Sequence, residues 1–494
     1  MKVVIIGAGI SGLTAGIYAL KQGYEAEIYE KNTSVGGMCT GWYRKGTYID
    51  GCLHWLTESA AGSLYEIWEE TGALDDSVEI FDCDVFYRAV YEGKDIDFYT
   101  DADRLEQALL SYAEQGDEKL IRGFIKAVKK AKKNSVIPTK KPFHLWKIGD
   151  MVCYMLKMLP MLPAMKKYSK LSIRDFAGKM QSKSLRFAFE NFMIPSEFSM
   201  ISLVSTFAGL AEKNSGIPLG GSKAFAKRME RRFMRMGGRI HLNEEISEIA
   251  VERGRAHGIV DRAGKLIQAD YVIAACDLHY TADTLLKGKY RIEELDERDK
   301  DKQNNPTYSL ILISYRTDEN LTGQIHNVFY QTDEYEILGK KFNVIGIKHF
   351  GYDPTIAADG KTVVQVVINT DERMYKKLQE MGKEEYDAFK EQIAEKMKMR
   401  VYAAAGERYG ELETLDVAMP RTFAHYVNSY MGTFMTYMLT KNSRQMMVMN
   451  NALPLDNVIL ANQWLMAPGG TPVAAIEGKF AAMTIAAMEN GKSS

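Results

Sequence analysis

The sequence is poor in cysteine, and this shortage argues against two kinds of site. Its five cysteines form no Cys-x-x-Cys pair and have an odd total, so we expect neither a disulfide framework nor a zinc site. We predict no metal and a reduced, cytoplasmic setting. No run of apolar residues reaches the ~18 that a membrane-spanning helix needs. The first strand begins at once and leaves no room for a signal peptide.

Excess charge of one sign is also lacking. The net charge of −1 argues against a nucleic-acid-binding protein, and 46% hydrophobic with 26% charged residues is the composition of a soluble globular chain. At 494 residues the chain is too long for one hydrophobic core, so two or three lobes are expected.

The most informative stretch is the N-terminus. Four β-branched residues, 3–6, run into the turn of Gly7, Gly9 and Gly12, which opens an amphipathic helix. This strand, glycine turn and helix are typical of a dinucleotide site, in which Gly9 lets the backbone approach a pyrophosphate. Glu30 ends the next strand at about the spacing of an acid that binds ribose. A glycine turn in an ordinary βαβ unit is the alternative.

Residues 3–54 resemble the FAD-binding opening of the phytoene desaturase-like flavoproteins, a branch that includes carotenoid desaturases and retinol saturase and is related to the amine oxidases. The resemblance implies an α/β fold with a Rossmann-type, GR2-like FAD-binding domain, a mixed-sheet substrate domain and a helical lid. One departure is Met38, which stands where many members have Arg.

The same resemblance implies FAD as the cofactor and extends to two later segments. Residues 237–277 resemble the second cofactor segment, and residues 469–478 resemble a glycine turn whose helix points at the flavin. Residues 462–464 depart from the glycine-containing pattern of relatives. The implied cofactor-binding residues are Gly7, Gly9, Gly12, Glu30, Lys31, Gly36, Gly37, Met38, Ile246, Asn462, Gly470, Thr471, Pro472 and Val473.

His54 is the first candidate for proton transfer, because the resemblance places it beside the flavin and a histidine can donate or accept a proton near neutral pH. A hydrogen-bonded structural histidine is the alternative. Tyr426 is the second catalytic candidate, and His425, Arg421 and His326 are weaker ones.

Residues 119–170 have an unusual composition. They contain fourteen Lys and Arg against one acid, Asp150, and include a Met-rich run. Such a segment can lie on an anionic membrane, or it is a lid with a core-facing apolar side and solvated lysines. We predict an FAD-binding domain from residues 1–75, 216–290 and 456–494, a substrate domain from 76–115 and 291–455, and a lid from 116–215. A hairpin within 78–99, strands at 308–315 and 363–369, and a helix at 383–402 are also predicted.

The predicted function is an FAD-dependent oxidoreductase. It would desaturate, saturate or isomerise C–C bonds of a hydrophobic unsaturated substrate, such as an isoprenoid, carotenoid, retinoid or fatty acid, by hydride transfer at flavin N5. No second Gly-x-Gly-x-x-Gly turn exists for a dedicated NAD(P)H domain, so we expect any electron donor or acceptor to use the substrate opening, a surface route, or a quinone or redox protein. The alternatives are an amine-oxidase-like enzyme with a polar substrate and a non-catalytic lipid-binding protein similar to the Rab GDP-dissociation inhibitors.

Overall fold

The computed structural model describes residues 1–132, 137–357, 360–443 and 447–492. Residues 133–136 of the predicted lid, 358–359 and 444–446 of the predicted substrate domain, and 493–494 of the C-terminal segment lie outside the described residues.

The chain alternates strands with helices at first and then changes to long antiparallel strands. The strands are β1 (Lys2–Ile6), β2 (Glu25–Glu30), β3 (Gly41–Arg44), β4 (Thr47–Asp50), β5 (Ile80–Phe81), β6 (Val85–Tyr91), β7 (Lys94–Tyr99), β8 (Ile217–Pro218), β9 (Arg239–Leu242), β10 (Ile246–Glu252), β11 (Arg255–Asp261), β12 (Leu266–Gln268), β13 (Tyr271–Ala274), β14 (Ser309–Thr317), β15 (Asn327–Ile337), β16 (Lys340–His349), β17 (Thr362–Thr370), β18 (Glu413–Ala418) and β19 (Val458–Leu460). The α-helices are α1 (Ile10–Lys21), α2 (Ser63–Glu70), α3 (Ala102–Ser111), α4 (Asp117–Ala131), α5 (Ile148–Met158), α6 (Leu162–Tyr168), α7 (Ile173–Ala177), α8 (Lys183–Glu190), α9 (Ile201–Ala211), α10 (Gly221–Arg235), α11 (Leu278–Tyr280), α12 (Glu293–Lys300), α13 (Glu372–Glu380), α14 (Lys383–Ala405), α15 (Pro420–Val427) and α16 (Thr471–Lys492).

A parallel sheet holds the N-terminal glycine turn. Its strands lie in the order β19-β13-β1-β2-β9, and every neighbouring pair is parallel. These strands come from all three segments that we predicted to form the FAD-binding domain, although the domain limits stay predictions. The apolar residues of β1 are fully buried, as expected for a parallel strand covered on both faces.

A second sheet has seven strands in the order β18-β14-β17-β16-β15-β6-β7. It is antiparallel except for the parallel pair β15 and β6. The predicted hairpin within 78–99 is β6–β7, the predicted strands at 308–315 and 363–369 are β14 and β17, and the predicted helix is α14. The hairpin β15–β16 was not predicted, because charged residues interrupt its apolar pattern.

Helices α4 to α9 form a separate layer with an aromatic core that includes Phe124, Phe176, Phe189 and Phe207. Their rings meet mostly edge to face, the arrangement that aromatic quadrupoles favour. This core is continuous with β6 and β7, so the layer is anchored on the edge of the seven-stranded sheet.

The prediction that no apolar segment is long enough to cross a membrane was wrong. Residues 148–168, from α5 through α6, form one 21-residue helical segment that is long and apolar enough by length and composition alone, and it is the one such helix among the described residues. A count of uninterrupted apolar residues missed it because Asp150 and Lys157 interrupt the run. Only 17% of its most apolar window is buried, so it is not a core helix.

Candidate active site

One large cavity, of about 1410 Å³, extends from the glycine turn after β1 to the helical segment 148–168. This exceeds the ~300–1,000 Å³ of most small-molecule sites and leaves room for a dinucleotide and a second molecule together. The predicted residues on its wall are Gly7, Gly9, Glu30, Lys31, Gly36, Gly37, Met38, His54, Ile246, Tyr426, Asn462, Gly470, Thr471, Pro472 and Val473.

Gly12 is the predicted cofactor residue that is absent from this wall. A Cβ atom built there would lie 1.9 Å from the carbonyl oxygen of Gly7, so Gly12 allows α1 to lie against the turn. Gly9 instead faces the cavity, and a Cβ there would meet only Gly36 and Gly37 at ordinary contact distance, 3.9 Å. Gly9, Gly36 and Gly37 therefore leave a groove of bare backbone beside the cavity, as close approach by a pyrophosphate requires.

The start of α1 has no side-chain cap and no acidic residue in its first turn. Its free N–H groups and positive dipole end can therefore bind phosphate oxygens. Glu30 lies beside this turn and is buried. Its Oε2 accepts from the Ala8 amide at 2.8 Å and its Oε1 from the Asn32 amide at 2.9 Å. The carboxylate is thereby held where it can also accept from a ribose hydroxyl.

A second helix N-terminus, that of α16, faces the cavity through Thr471, Pro472 and Val473. The Gly470 amide is fixed by a 2.7 Å hydrogen bond to Gln463 Oε1. Nearby, the buried Asn462 uses Oδ1 to accept from the Trp464 amide at 2.9 Å, whereas its Nδ2 has no partner among the described residues. A buried amide donor that borders the cavity and lacks a partner indicates a bound molecule with acceptor atoms.

His54 lines the cavity and is paired with a lysine that the sequence analysis did not single out. Lys348, on β16, places its Nζ 3.1 Å from His54 Nδ1 and 3.2 Å from the Leu53 carbonyl oxygen. Burial, followed by the charge of Lys348, holds the pKa of His54 well below its usual value. No motif spacing could have found this pair, because it depends on the position of β16 beside a loop almost three hundred residues earlier.

Tyr426 and the three weaker candidates from the sequence are scattered. Tyr426 is 54% exposed and lies at the dinucleotide end, where its carbonyl oxygen accepts from Asn32 Nδ2. His425 is exposed, and its carbonyl oxygen accepts from Lys31 Nζ at 2.7 Å. Arg421 donates to two backbone carbonyl oxygens at the end of α13, which is a structural contact. His326 is buried close to His54 but is not part of the cavity wall.

A buried charge network at the end of β13 was also missed. His279 lies between Asp277, at 3.4 Å, and Asp299, at 2.9 Å, and stacks on Tyr430 with ring centroids 3.7 Å apart. Burial opposes its charging, but the two carboxylates outweigh burial and raise the pKa of His279 to about 9. Trp464 donates to Asp277 at 2.8 Å, which ties this network to the cavity wall.

Comparison with known proteins identifies the family. The profile described as flavin containing amine oxidoreductase matches residues 10–486. The chain belongs to this family. It is 24% identical to a 4,4'-diapophytoene desaturase of Methylomonas over 60% of this chain and 58% of the desaturase, and 26% identical to a lycopene-forming phytoene desaturase of Paracoccus over 60% and 59%. The matches thus span less than two thirds of these relatives.

Solved structures agree on the fold. An oxidoreductase from Methanosarcina mazei superposes with a TM-score of 0.60 at 19% identity over 99% of this chain and all of that one. A putrescine oxidase variant gives a TM-score of 0.60 at 14% identity over 98% of both chains. The predicted α/β flavoprotein fold and the predicted resemblance to phytoene desaturases are therefore confirmed. Membership of this family implies FAD as the cofactor, as predicted.

Proposed function

We propose that this flavoprotein desaturates, saturates or isomerises a C–C bond in a long hydrophobic unsaturated substrate. The observation that carries the proposal is the lid end of the cavity. There the wall is formed by flexible apolar side chains of one helical segment, Met155, Met158, Met161, Leu162 and Met165. Methionine adapts to irregular apolar surfaces, which suits an unsaturated chain better than a small polar amine.

The desaturases that resemble this chain support the same substrate class. Their names state that they act on phytoene or diapophytoene, which are hydrophobic polyenes. The amine oxidases among the solved structures share 13–14% identity, so they support the fold and carry no argument about the substrate.

The cofactor would lie along the cavity wall in a defined direction. Glu30 would accept from the ribose, Gly9 and the α1 N-terminus would bind the pyrophosphate, and the backbone of Ile246 would border the adenine side. Asn462 and the α16 N-terminus would bind the flavin ring. FAD supplies hydride transfer, and the protein supplies orientation, exclusion of water and proton transfer. His54, beyond the flavin end, is the residue that we assign to the proton.

We further propose that the lid rests on an anionic lipid surface and takes up its substrate there. Residues Ile148, Met151, Val152, Leu156 and Leu159 are each more than half exposed. Lys157, Lys166 and Lys167 are exposed on the same segment, and Lys147 is exposed immediately before it. Apolar side chains that can enter a bilayer, flanked by lysines, are typical of interfacial helices. Met155 and Leu162 are both exposed and part of the cavity wall, so the cavity reaches this surface.

The test uses the flavin as its own indicator. The purified protein is kept anaerobic, and oxidised and dithionite-reduced samples are each mixed with phytoene, diapophytoene, other polyenes and unsaturated fatty acids. Bleaching of oxidised flavin by one compound identifies a desaturase, and re-oxidation of reduced flavin identifies a saturase. A changed product without net flavin change identifies an isomerase. Bleaching by putrescine or cyclohexylamine, with no response to any polyene, would overturn the proposal in favour of a polar substrate.

A further inference from the structure

Lys348 is a buried lysine without a carboxylate partner. It is 4% exposed and lies in the part of β16 where residues 345–349 are all buried. Its Nζ donates to the Leu53 carbonyl oxygen and to His54 Nδ1 and lies 4.6 Å from the centre of the Phe350 ring. No ion pair of Lys348 is recorded in the described part of the chain. Buried lysines seldom occur unpaired, so this one requires an explanation.

Asp50, the carboxylate whose charge acts on Lys348, is already occupied by other donors. It accepts from the Ser222 amide at 2.5 Å, the Ser222 hydroxyl at 2.8 Å and the Tyr48 hydroxyl at 3.1 Å. These bonds fix β4 to the start of α10, so Asp50 acts on Lys348 only through its charge. Burial lowers the pKa of Lys348 to about 8, and the charges of Asp50 and Cys52 partly offset this effect.

The hydrogen bond between Lys348 and His54 determines the tautomer of the imidazole. An ammonium group has only donors, so His54 Nδ1 must accept and the ring hydrogen must be on Nε2. No hydrogen bond to Nε2 is recorded among the described residues, and the side chain borders the cavity. The N–H of His54 is therefore available to a molecule inside the cavity.

We propose that Lys348 and His54 form a proton relay that serves the cavity. In one direction, Nε2 gives its proton to an acceptor atom of the substrate, and Lys348 gives a proton to Nδ1. The imidazole ends as the neutral Nδ1–H tautomer, and Lys348 ends as a neutral amine. One proton has moved from Lys348 to the substrate, and no electrons have been transferred. The reverse sequence removes a proton. The identity of the substrate atom that accepts the proton rests on the proposed function, whereas the hydrogen-bonded pair of Lys348 and His54 does not.

The other groups that face this pair do not provide the proton. Burial, together with nearby Lys348, holds the pKa of His326 well below its usual value. Burial lowers the pKa of His349 to about 4, although its hydrogen bond to the Ile325 carbonyl opposes the shift. Both imidazoles are therefore neutral at pH 6–9. Asp50 is held by hydrogen bonds, as described above, and Cys52, two residues before His54, acts on Lys348 through its charge.

The first test reads the tautomer directly. The eight histidines are labelled with ¹⁵N in the full FAD-loaded chain, and His54 is assigned by its loss in His54→Gln. At pH 6 we expect a neutral Nε2–H ring, and between pH 6 and 10 a shift of Nδ1 with a midpoint near 8, as Lys348 loses its proton. An Nδ1–H ring or an imidazolium at pH 6 would overturn the proposal, and wild-type protein suffices for this measurement.

The second test removes the lysine. Lys348→Met keeps the side-chain length and removes the charge. We expect the Nδ1 titration near pH 8 to vanish and the flavin reaction with the active substrate to slow by about 10²-fold, with little change in KM. Lys479→Met is the control, because Lys479 is a lysine of α16 outside the cavity wall whose pKa burial also lowers. If the His54 Nδ1 titration is unchanged in Lys348→Met, the proton relay is disproved. If His54 of the wild-type protein is the expected Nε2–H tautomer but no polyene reacts with the flavin, the proposed function is contradicted and the Lys348–His54 pair is not.

Discussion

At the scale of single residues, two of the three glycines in the N-terminal turn, Gly9 and Gly12, have separable roles. A Cβ atom at position 9 would have no protein atom closer than 3.9 Å, whereas a Cβ atom at position 12 would collide with the Gly7 carbonyl oxygen. We expect Gly9→Val to fold normally and bind FAD at least about a hundredfold more weakly. Gly12→Val should lose folded protein. Circular dichroism and flavin fluorescence titration check both, and normal FAD content in Gly9→Val would disprove the phosphate assignment.

His279 is expected to make the stability of the protein depend on pH. Because its folded pKa is raised from 6.5 to about 9, its contribution is complete below pH 6.5 and is lost as the pH rises through 9. The shift corresponds to about 3 kcal/mol. We expect wild-type protein to lose this stability between pH 6.5 and 9 relative to His279→Gln. Thermal unfolding of both proteins at several pH values measures the difference, and parallel curves would contradict the ion-pair geometry.

Residues with a local signal could be predicted from the sequence, and residues placed by strand register could not. Gly9 and Glu30 follow strands at spacings that the chemistry of phosphate and ribose explains. Lys348 lies in a stretch with Lys340 and Lys341 that resembles a solvated strand or turn, and only the pairing of β16 with its neighbours buries it. A cavity-facing histidine was predictable from the resemblance, but its hydrogen-bond partner was not.

At the scale of elements, the segment 148–168 is the surface that we expect to bind lipid. The double substitution Met151→Glu and Leu156→Glu adds two charges to its exposed apolar face. We expect co-sedimentation with vesicles of phosphatidylcholine and phosphatidylglycerol to fall at least tenfold, and wild-type binding to weaken in high salt as the lysines are screened.

The matched control for this segment is Met399→Glu, since Met399 is 63% exposed on α14. It should leave vesicle binding unchanged. Equal binding by the double variant and the control would remove the lipid surface from the proposal, while the cavity assignment would stand.

Elements with one clear hydrophobic pattern over their whole length were predicted well, and elements of mixed composition were not. β1, β14 and β17 are nearly continuous apolar strands, and α14 has helix-forming composition over its whole length. The hairpin β15–β16 combines a buried half with an exposed, charged half, so neither the alternating nor the continuous pattern of a strand is complete. The sequence therefore located the parallel sheet but not the part of the second sheet that carries Lys348.

At the scale of the whole molecule, the cofactor site depends on contact between the two ends of the chain. α16 lies on α1, and a Cβ atom built at Gly478 would lie 2.3 Å from the Ser11 carbonyl oxygen and 2.9 Å from Thr14 Cβ. Ser11 also donates to the Ala461 carbonyl oxygen at 2.5 Å, which joins α1 to the residue after β19. The glycine turn and the N-terminus of α16 thus keep their relative position through one helix contact.

We therefore expect Gly478→Ala to weaken FAD binding although residue 478 does not touch the cavity. The added methyl group must separate two backbones, and such overpacking costs about 1–3 kcal/mol. Gly382→Ala is the control, because a Cβ there meets no atom within 4 Å. Flavin release on heating should occur at a clearly lower temperature in Gly478→Ala than in the control. If both variants release flavin at the same temperature, the N-termini of α1 and α16 must be positioned independently of each other. The contact between the two helices would then not contribute to FAD binding.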